Sequence, residues 1–366
     1  MADIQMIRDL SNAFGPSGFE EEVVRTVKKH SCGLTLRSDA MNNVYASFPE
    51  NRGERPVFML DAHTDECGFM VQSIKENGLL SILTLGGFHL TSLPAHSVIV
   101  QNSEGRKIKG ITTSKPVHFM TAAQKADNSL AIEDILVDVG ASSREEVTES
   151  LGIQPGDPVM PDVEFEYDEA RRICMGKAFD NRLGCACILE TMKALKGEAG
   201  ALPVDVIGAF AAQEEVGMRG ATVTAQQVKP DFAIVFEGSP ADDPYYSASM
   251  AQCRMRQGVQ IRHMDNSYVA NSAFIRYAHE IGGKFGIPYQ DAVRRGGSTD
   301  AGKISLTYQA VPVLVLGIPS RYVHSHYNFC AVSDIDAAVQ MALEVIRGLD
   351  SVRMKKILRQ DILDHD

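Results

Sequence analysis

The chain has 366 residues, a formal net charge of −11, and a composition of 44% hydrophobic and 23% charged residues with no Trp. That length sets a prior of roughly two domains, at about 150 residues each. The acidic balance excludes a nucleic-acid or anionic-membrane partner, either of which calls for a basic stripe, and leaves small molecules or peptides as the expected ligands.

The opening segment MADIQMIRDLSNAF is amphipathic and charged, without the apolar centre of a signal peptide, and no later stretch reaches the length of a membrane span. A cytoplasmic protein is therefore expected. The 7 cysteines form no framework, as befits a reducing compartment. In SGFEEEVVRTVKKH, Ser17 and Glu20 stand at capping-box spacing ahead of Val23, Val24 and Val27, and basic residues close the segment, which predicts a helix. Short β-type runs follow at LTLRSD, NVYASF and RPVFMLDAH, the last nearly continuous and apolar, as in a strand covered on both faces.

From Gly68 the texture changes to short β-like runs separated by Gly, Asn and Pro (FMVQSI, LLSILTL, HSVIVQN, KIKGITT, DILVDVG), with NSEG as a hairpin turn. After Tyr167 an α/β rhythm returns: helix DNRLGCACILETMKALKG, strand PVDVIGAFAA, helix near ATVTAQQV, strand DFAIVFE, helix NSYVANSAFIRYAHEIGGKF, strand AVPVLVLGI, helix SDIDAAVQMALEVIRGLDSV. Strands alternating with helices predict a mostly parallel sheet with helices on both faces. The expected organisation is one discontinuous α/β domain, residues 1–67 and 168–366, interrupted by a β-rich domain over 68–167. Cys185 and Cys187, two apart on a helix, share no face and are expected to be small buried hydrophobes.

In such a sheet, ligands bind outside the carboxyl ends of the strands. The residues found there are DAHTDE after the first long strand, QEEVG after the second, EGSP after the third and SRYVHSH after the fourth, with FDNR opening a helix. Five independent ends supplying almost only acids and imidazoles make a site for one or two divalent cations, with a nitrogen and oxygen set suited to zinc, cobalt or manganese. No Cys is expected among them. Serine-hydrolase, phosphate-loop and dinucleotide signatures are absent, and Ser325 has no base set against its hydroxyl. His30, His263 and His279 read as structural, and His89, His96 and His118 fall in the β insert.

The motifs AHTDECGFMV, GKAFDNRLG, QEEVGMRGA, GGSTDAG and IPSRYVHS resemble those of the tetrahedral dinuclear metallo-aminopeptidases, also called glutamyl or deblocking aminopeptidases and once named cellulase M. The resemblance spans nearly the whole chain and extends to the insert at KPVH and DVGASSREEVTESLGIQPGDPV. It implies a zinc-exopeptidase-like α/β fold with an inserted small β-barrel or PDZ-like dimerisation domain, peptide substrates, two divalent ions per subunit, and dimers assembling into a dodecamer. His63, Asp180 and Glu237 would hold one ion, and Asp180, Glu215 and His324 the other. Asp65 would orient His63, Glu214 would be the general base, and Thr299 and Asp300 would lie near the substrate. One departure is Glu237, where the family carries Asp; a Glu there is similar to the carboxypeptidase and dipeptidase pattern. An aminopeptidase is the expected activity, with a carboxypeptidase or dipeptidase, or a non-catalytic metal-binding scaffold, as alternatives. His326 follows the last expected ligand in place of an acidic continuation.

Overall fold

The computed structural model describes residues 2–122, 125 and 129–361. Strands β1 (Thr35–Ser38) and β2 (Val44–Ser47) pair antiparallel, and β3 (Val57–His63) follows. The chain then builds β4 (Gly68–Ile74), β5 (Leu80–Leu85), β6 (Ser97–Gln101), β7 (Lys107–Thr113), β8 (Leu136–Asp138) and β9 (Pro158–Pro161) before returning through β10 (Glu166–Asp168) and β11 (Ile173–Gly176). The remaining strands are β12 (Asp205–Ala211), β13 (Phe232–Pro240), β14 (Val259–Met264), β15 (Tyr289–Val293), β16 (Val313–Arg321) and β17 (Asn328–Ala331).

One sheet runs β1-β2-β12-β3-β13-β16-β17-β11-β10, with β14 on β16 and β15 on β14. Its centre, β12-β3-β13-β16, is parallel; β2, β14 and β17 join that centre antiparallel, and β15 pairs parallel with β14 at the edge. Period-two alternation divides each central strand between two cores. Phe58, Leu60 and Ala62 of β3 face one core with Ile234, Phe236 and the helices Phe179–Leu195 and Val332–Arg347. Met59 faces the other with Ala233, Val235 and Ala221 of the helix Arg219–Val228. Burial on both sides is why these strands read as unbroken apolar runs.

Strands β4 to β9 close on themselves in the order β4-β5-β8-β7-β6-β9. Phe69, Val71, Ile82, Val98, Val100, Ile108, Val137 and Val159 fill this barrel. The Asn102–Gly105 turn between β6 and β7 is a hairpin closed by the Gly105 N–H on the Asn102 carbonyl, 2.8 Å. Cys185 and Cys187 are buried in the core of their helix.

Local differences from the sequence reading have identifiable causes. The helix expected from Asn266 begins at Ser272, where the Asn271 side chain accepts from the N–H groups of Ala273 and Phe274. Strand β14 was not expected, because Gln260 and Arg262 interrupt its apolar pattern. Both are buried and bonded, Arg262 to Ser239 at 2.8 Å and to Asp265 at 3.2 Å. Ser17 and Glu20 do not form a capping box. The helix is Glu21–His30, and both side chains turn instead to the carboxyl edge of the sheet.

Candidate metal centre

Parallel register sets the site's level. His63 ends β3 opposite Ala211, the last residue of β12, so the loop that follows β12 carries Glu214 and Glu215 to the imidazole. Glu237 lies inside β13, opposite Gly317 of β16, and His324 follows the end of β16. Asp180 stands at the start of the helix Phe179–Leu195, where its φ of −88° and ψ of 103° leave the helical range. That helix start meets β13 at Gly238: a Cβ there would lie 2.5 Å from the Asp180 Cα.

Asp180 sits between the two imidazoles. Its Oδ1 is 3.0 Å from His63 Nε2 and its Oδ2 is 3.5 Å from His324 Nε2, which in turn is 3.5 Å from Glu215 Oε2. Donor atoms of His63, Asp180 and Glu237 lie within 4.8 Å of one another. Glu214 Oε2 is 3.9 Å from His63 Nε2. All the residues expected to bind metal therefore gather at one point.

Asp65 joins the parts. Its Oδ1 accepts from the Glu214 N–H at 2.9 Å, and its Oδ2 from the Glu215 N–H at 3.1 Å and the Ser17 hydroxyl at 2.6 Å. His63 Nδ1 lies 3.2 Å from the Asp65 carbonyl and 3.4 Å from its carboxylate, contacts that fix the ring's tautomer. Burial alone would raise the Asp65 carboxyl, but the His63 ring, the Ser17 hydroxyl and the Glu214 N–H hold it below the usual range. Glu20, fully buried, accepts from the N–H groups of Gly18 at 2.7 Å and Gln213 at 3.3 Å. Non-glycine residues with left-handed backbone cluster in these loops: Ala178, Gln213, Met218, Tyr322 and His324. Strain of this kind costs of order 1–3 kcal/mol per residue and collects where surroundings fix a functional geometry.

Below the centre, Lys177 and Arg182 are buried against Glu66, at 2.6 Å and 3.1 Å, and Arg182 also donates to the Thr64 carbonyl at 2.6 Å. Burial brings the Lys177 ammonium down to about 8. Burial pushes Glu215 up to about 7, and raises Glu214 and Glu237 well above the carboxylate range, with Asp180 adding to the effect on Glu237. Asp180 itself is held low: burial would raise it, and its bonds to His324 and His63 overcome that.

Two features escaped the sequence reading, Asp61 and the place of Cys67, and the surroundings of four residues that it named are now defined. Asp61 is buried in β3 against Asp300, and none of their four carboxylate oxygens has a well-formed hydrogen bond. A carboxylate inside the run FMLDAH was the available signal. Cys67 stands beside Glu215 and His324, correcting the expectation that no thiol joins the site. Thr299 and Asp300 are fully buried, Thr299 bonded to Asp265 and Ser267; the neighbouring cleft wall is Gly296–Ser298. His326 is buried too, its ring 4.3 Å from that of His96 on the barrel. Ser325 spends its hydroxyl on the Tyr322 carbonyl at 2.6 Å.

The centre opens into a cleft of about 810 Å³ lined by Asp180, Glu214, Glu215, Glu237, Arg294 and His324, among others. A cavity of about 750 Å³ between the helices Ser272–Phe285 and Ser351–Ile357 contains none of these groups.

A parallel α/β sheet whose carboxyl edge gathers two imidazoles and several buried acids has the make-up of a metallohydrolase. Comparison with known proteins agrees. The M42 glutamyl aminopeptidase family matches residues 42–341, and the chain belongs to that family, whose members are metallo-aminopeptidases. It is 30% identical over 352 residues to the putative aminopeptidase FrvX of Escherichia coli strain K12, covering 94% of each chain. The TET aminopeptidase of a marine sediment Thaumarchaeota archaeon superposes with a TM-score of 0.92 at 33% identity, covering 97% of this chain and 98% of the other. A structure of the Pyrococcus horikoshii TET1 peptidase, described as assembling into a tetrahedron or a large octahedral shell, superposes with a TM-score of 0.82 at 26% identity, over 94% and 99% of the two chains. The family implies divalent metal ions. The donor set fits them, because burial raises Glu214, Glu215 and Glu237 together beside the His63 and His324 rings, and an added cation offsets the charge of such closely gathered buried acids.

Proposed function

We propose that this protein is a dinuclear aminopeptidase that removes amino-terminal residues from short peptides. The observation that carries this reading is Asp180, which presents one oxygen to each of the two imidazoles. In this reading His63, Asp180 and Glu237 hold one ion, Asp180, Glu215 and His324 hold the other, and zinc, cobalt or manganese suits the set. Two such ions, when bound, lower the pKa of water and polarise a carbonyl.

The chain's own groups do the rest. The Glu214 carboxylate, 3.9 Å from the His63 ring and raised by burial, takes a proton from the attacking water and delivers it to the leaving amine. Asp65 positions that base by holding its backbone N–H, and holds His63 as well. The acids around the cleft accept the substrate's α-ammonium group. Residues 1–67 with 168–366 form the catalytic unit, and residues 68–167 the assembly unit. Exposed apolar side chains on and beside the barrel, Ile111, Val117 and Phe119, support assembly through it, and the reading includes dimers building a dodecamer. Among the described residues no helix is long and apolar enough to cross a membrane; a cytoplasmic location rests on the free cysteines.

The test is hydrolysis of matched peptides with free and blocked amino termini, run with the metal content of the protein measured. Cleavage confined to free amino termini, with two ions per subunit, is expected. Release of carboxyl-terminal residues from blocked peptides would replace this reading with a carboxypeptidase, the alternative that Glu237 motivates.

A further inference from the structure

Of the cysteines, Cys67 alone belongs to a group of described residues able to hold a cation. Its Sγ, a carboxylate oxygen of Glu215 and a ring nitrogen of His324 all lie within 4.8 Å of one another. Cys67, Asp180, Glu215 and His324 line one small cavity together with Glu66 and Lys177. The thiol is buried and confined: its Sγ is 3.6 Å from the Gly87 carbonyl, and at Gly86, where φ is +88°, a Cβ would fall 2.7 Å from that sulfur and 3.1 Å from the Glu215 Cβ. Only a residue without a side chain, one that adopts this backbone freely, lets the turn press on both groups. The remaining buried cysteines, Cys174, Cys185, Cys187, Cys253 and Cys330, share no such group.

We propose that Cys67 is a sulfur donor to the cation held by Glu215 and His324. The inference rests on the two-ion reading above and deepens it. The two positions then differ in kind: His63, Asp180 and Glu237 offer nitrogen and oxygen, whereas the second position adds sulfur. Thiolate favours softer ions such as zinc, and carboxylate and imidazole accept harder ones such as manganese, so the two positions select different metals. The thiol gives its proton to solvent as the sulfur–metal bond forms. The bond also restrains the segment that leads from His63 into β4.

Cobalt reads this directly. The full-length protein is stripped with a chelator and titrated with Co²⁺ while bound metal and the near-ultraviolet spectrum are followed. The expected result is two Co²⁺ per subunit, a sulfur-to-cobalt charge-transfer band that rises with one of them, and loss of that band in Cys67→Ser with both ions still bound. A wild-type protein that binds two Co²⁺ without the band overturns the sulfur assignment and leaves the two-ion reading standing. A band that survives in Cys67→Ser also overturns it, because another thiol such as the exposed Cys32 is then the donor. Binding of fewer than two ions brings down the two-ion reading and this inference with it. Should Cys67→Ser fail to fold, ¹¹³Cd resonances of the wild-type protein decide: one in the sulfur-ligated range supports the proposal, and two in the nitrogen and oxygen range overturn it.

Discussion

Glu214 and Glu215 are neighbours in sequence with different surroundings. Glu215 reaches His324, and Glu214 lies beside His63. Removing the charge of Glu214 while keeping its shape separates proton transfer from metal binding. Glu214→Gln is expected to lower kcat by about 10²- to 10⁴-fold with metal content unchanged, as read by turnover and elemental analysis of the same sample. Glu20 offers a second test. Burial, followed by the charge of Asp65, pushes its carboxyl from 4.5 up to about 7. Below pH 4.5 folded and unfolded chains both carry that proton. Between 4.5 and 7 the folded chain keeps it while the unfolded chain loses it, so stability falls as pH rises through that window. Glu20→Gln keeps the oxygen that accepts from Gly18 and Gln213, and is expected to match the wild type near pH 4.5. It should gain on the order of 3 kcal/mol over it by pH 8, in denaturant melts at several pH values. The acids and imidazoles gathered at the centre were legible in part because polar residues at the ends of apolar runs betray strand ends, whereas their division into ligand sets came only with the family resemblance. Ser17 and Glu20 were misread because their partners, Asp65 and Gln213, are distant in sequence, and local spacing mimicked a cap. Cys67 was passed over because a single thiol among acids has the same local pattern as a buried hydrophobe.

At the scale of elements, the site depends on how closely a helix start approaches a strand. Gly238 in β13 touches the backbone of Asp180, and a methyl group there would meet the Asp180 Cα at 2.5 Å and its N at 2.8 Å. Gly238→Ala is therefore expected to push Asp180 away from both imidazoles. A loss of about 10- to 100-fold in metal affinity should be measurable by competition with a chelator, with the far-ultraviolet circular dichroism unchanged. Retained affinity would show that the helix start shifts without disturbing the centre. The central strands and their helices could be read from hydrophobic rhythm. β14 could not, since a buried Arg262 held by Ser239 and Asp265 looks like a surface residue until those partners are in place.

At the scale of the molecule, the barrel is spliced into the chain of the large sheet beside the proposed metal centre. β4 begins at Gly68, directly after Cys67, and the return strand β11 leads through Lys177 to Asp180. The barrel also leans on the other end of the site, where the His96 ring meets His326. Ile111, Val117 and Phe119, at 53%, 59% and 72% exposure, are the apolar side chains that the proposed assembly would bury. Phe119→Asp is expected to shift the protein toward smaller species in light scattering after gel filtration, while its melting curve keeps a single folded transition. An unchanged assembly would place the contacts elsewhere, for instance at the exposed Val269 and Leu306 outside the barrel.

The expected ligands are dispersed along the chain, from His63 at the end of β3 to His324 after β16. No fragment that stops short of β16 brings the second imidazole to Asp180. During synthesis the growing polypeptide thus lacks the proposed cation cradle until β16 and the loop after it have been made. On the proposed two-ion reading, a nascent chain is therefore expected to have no activity toward free amino termini before that point.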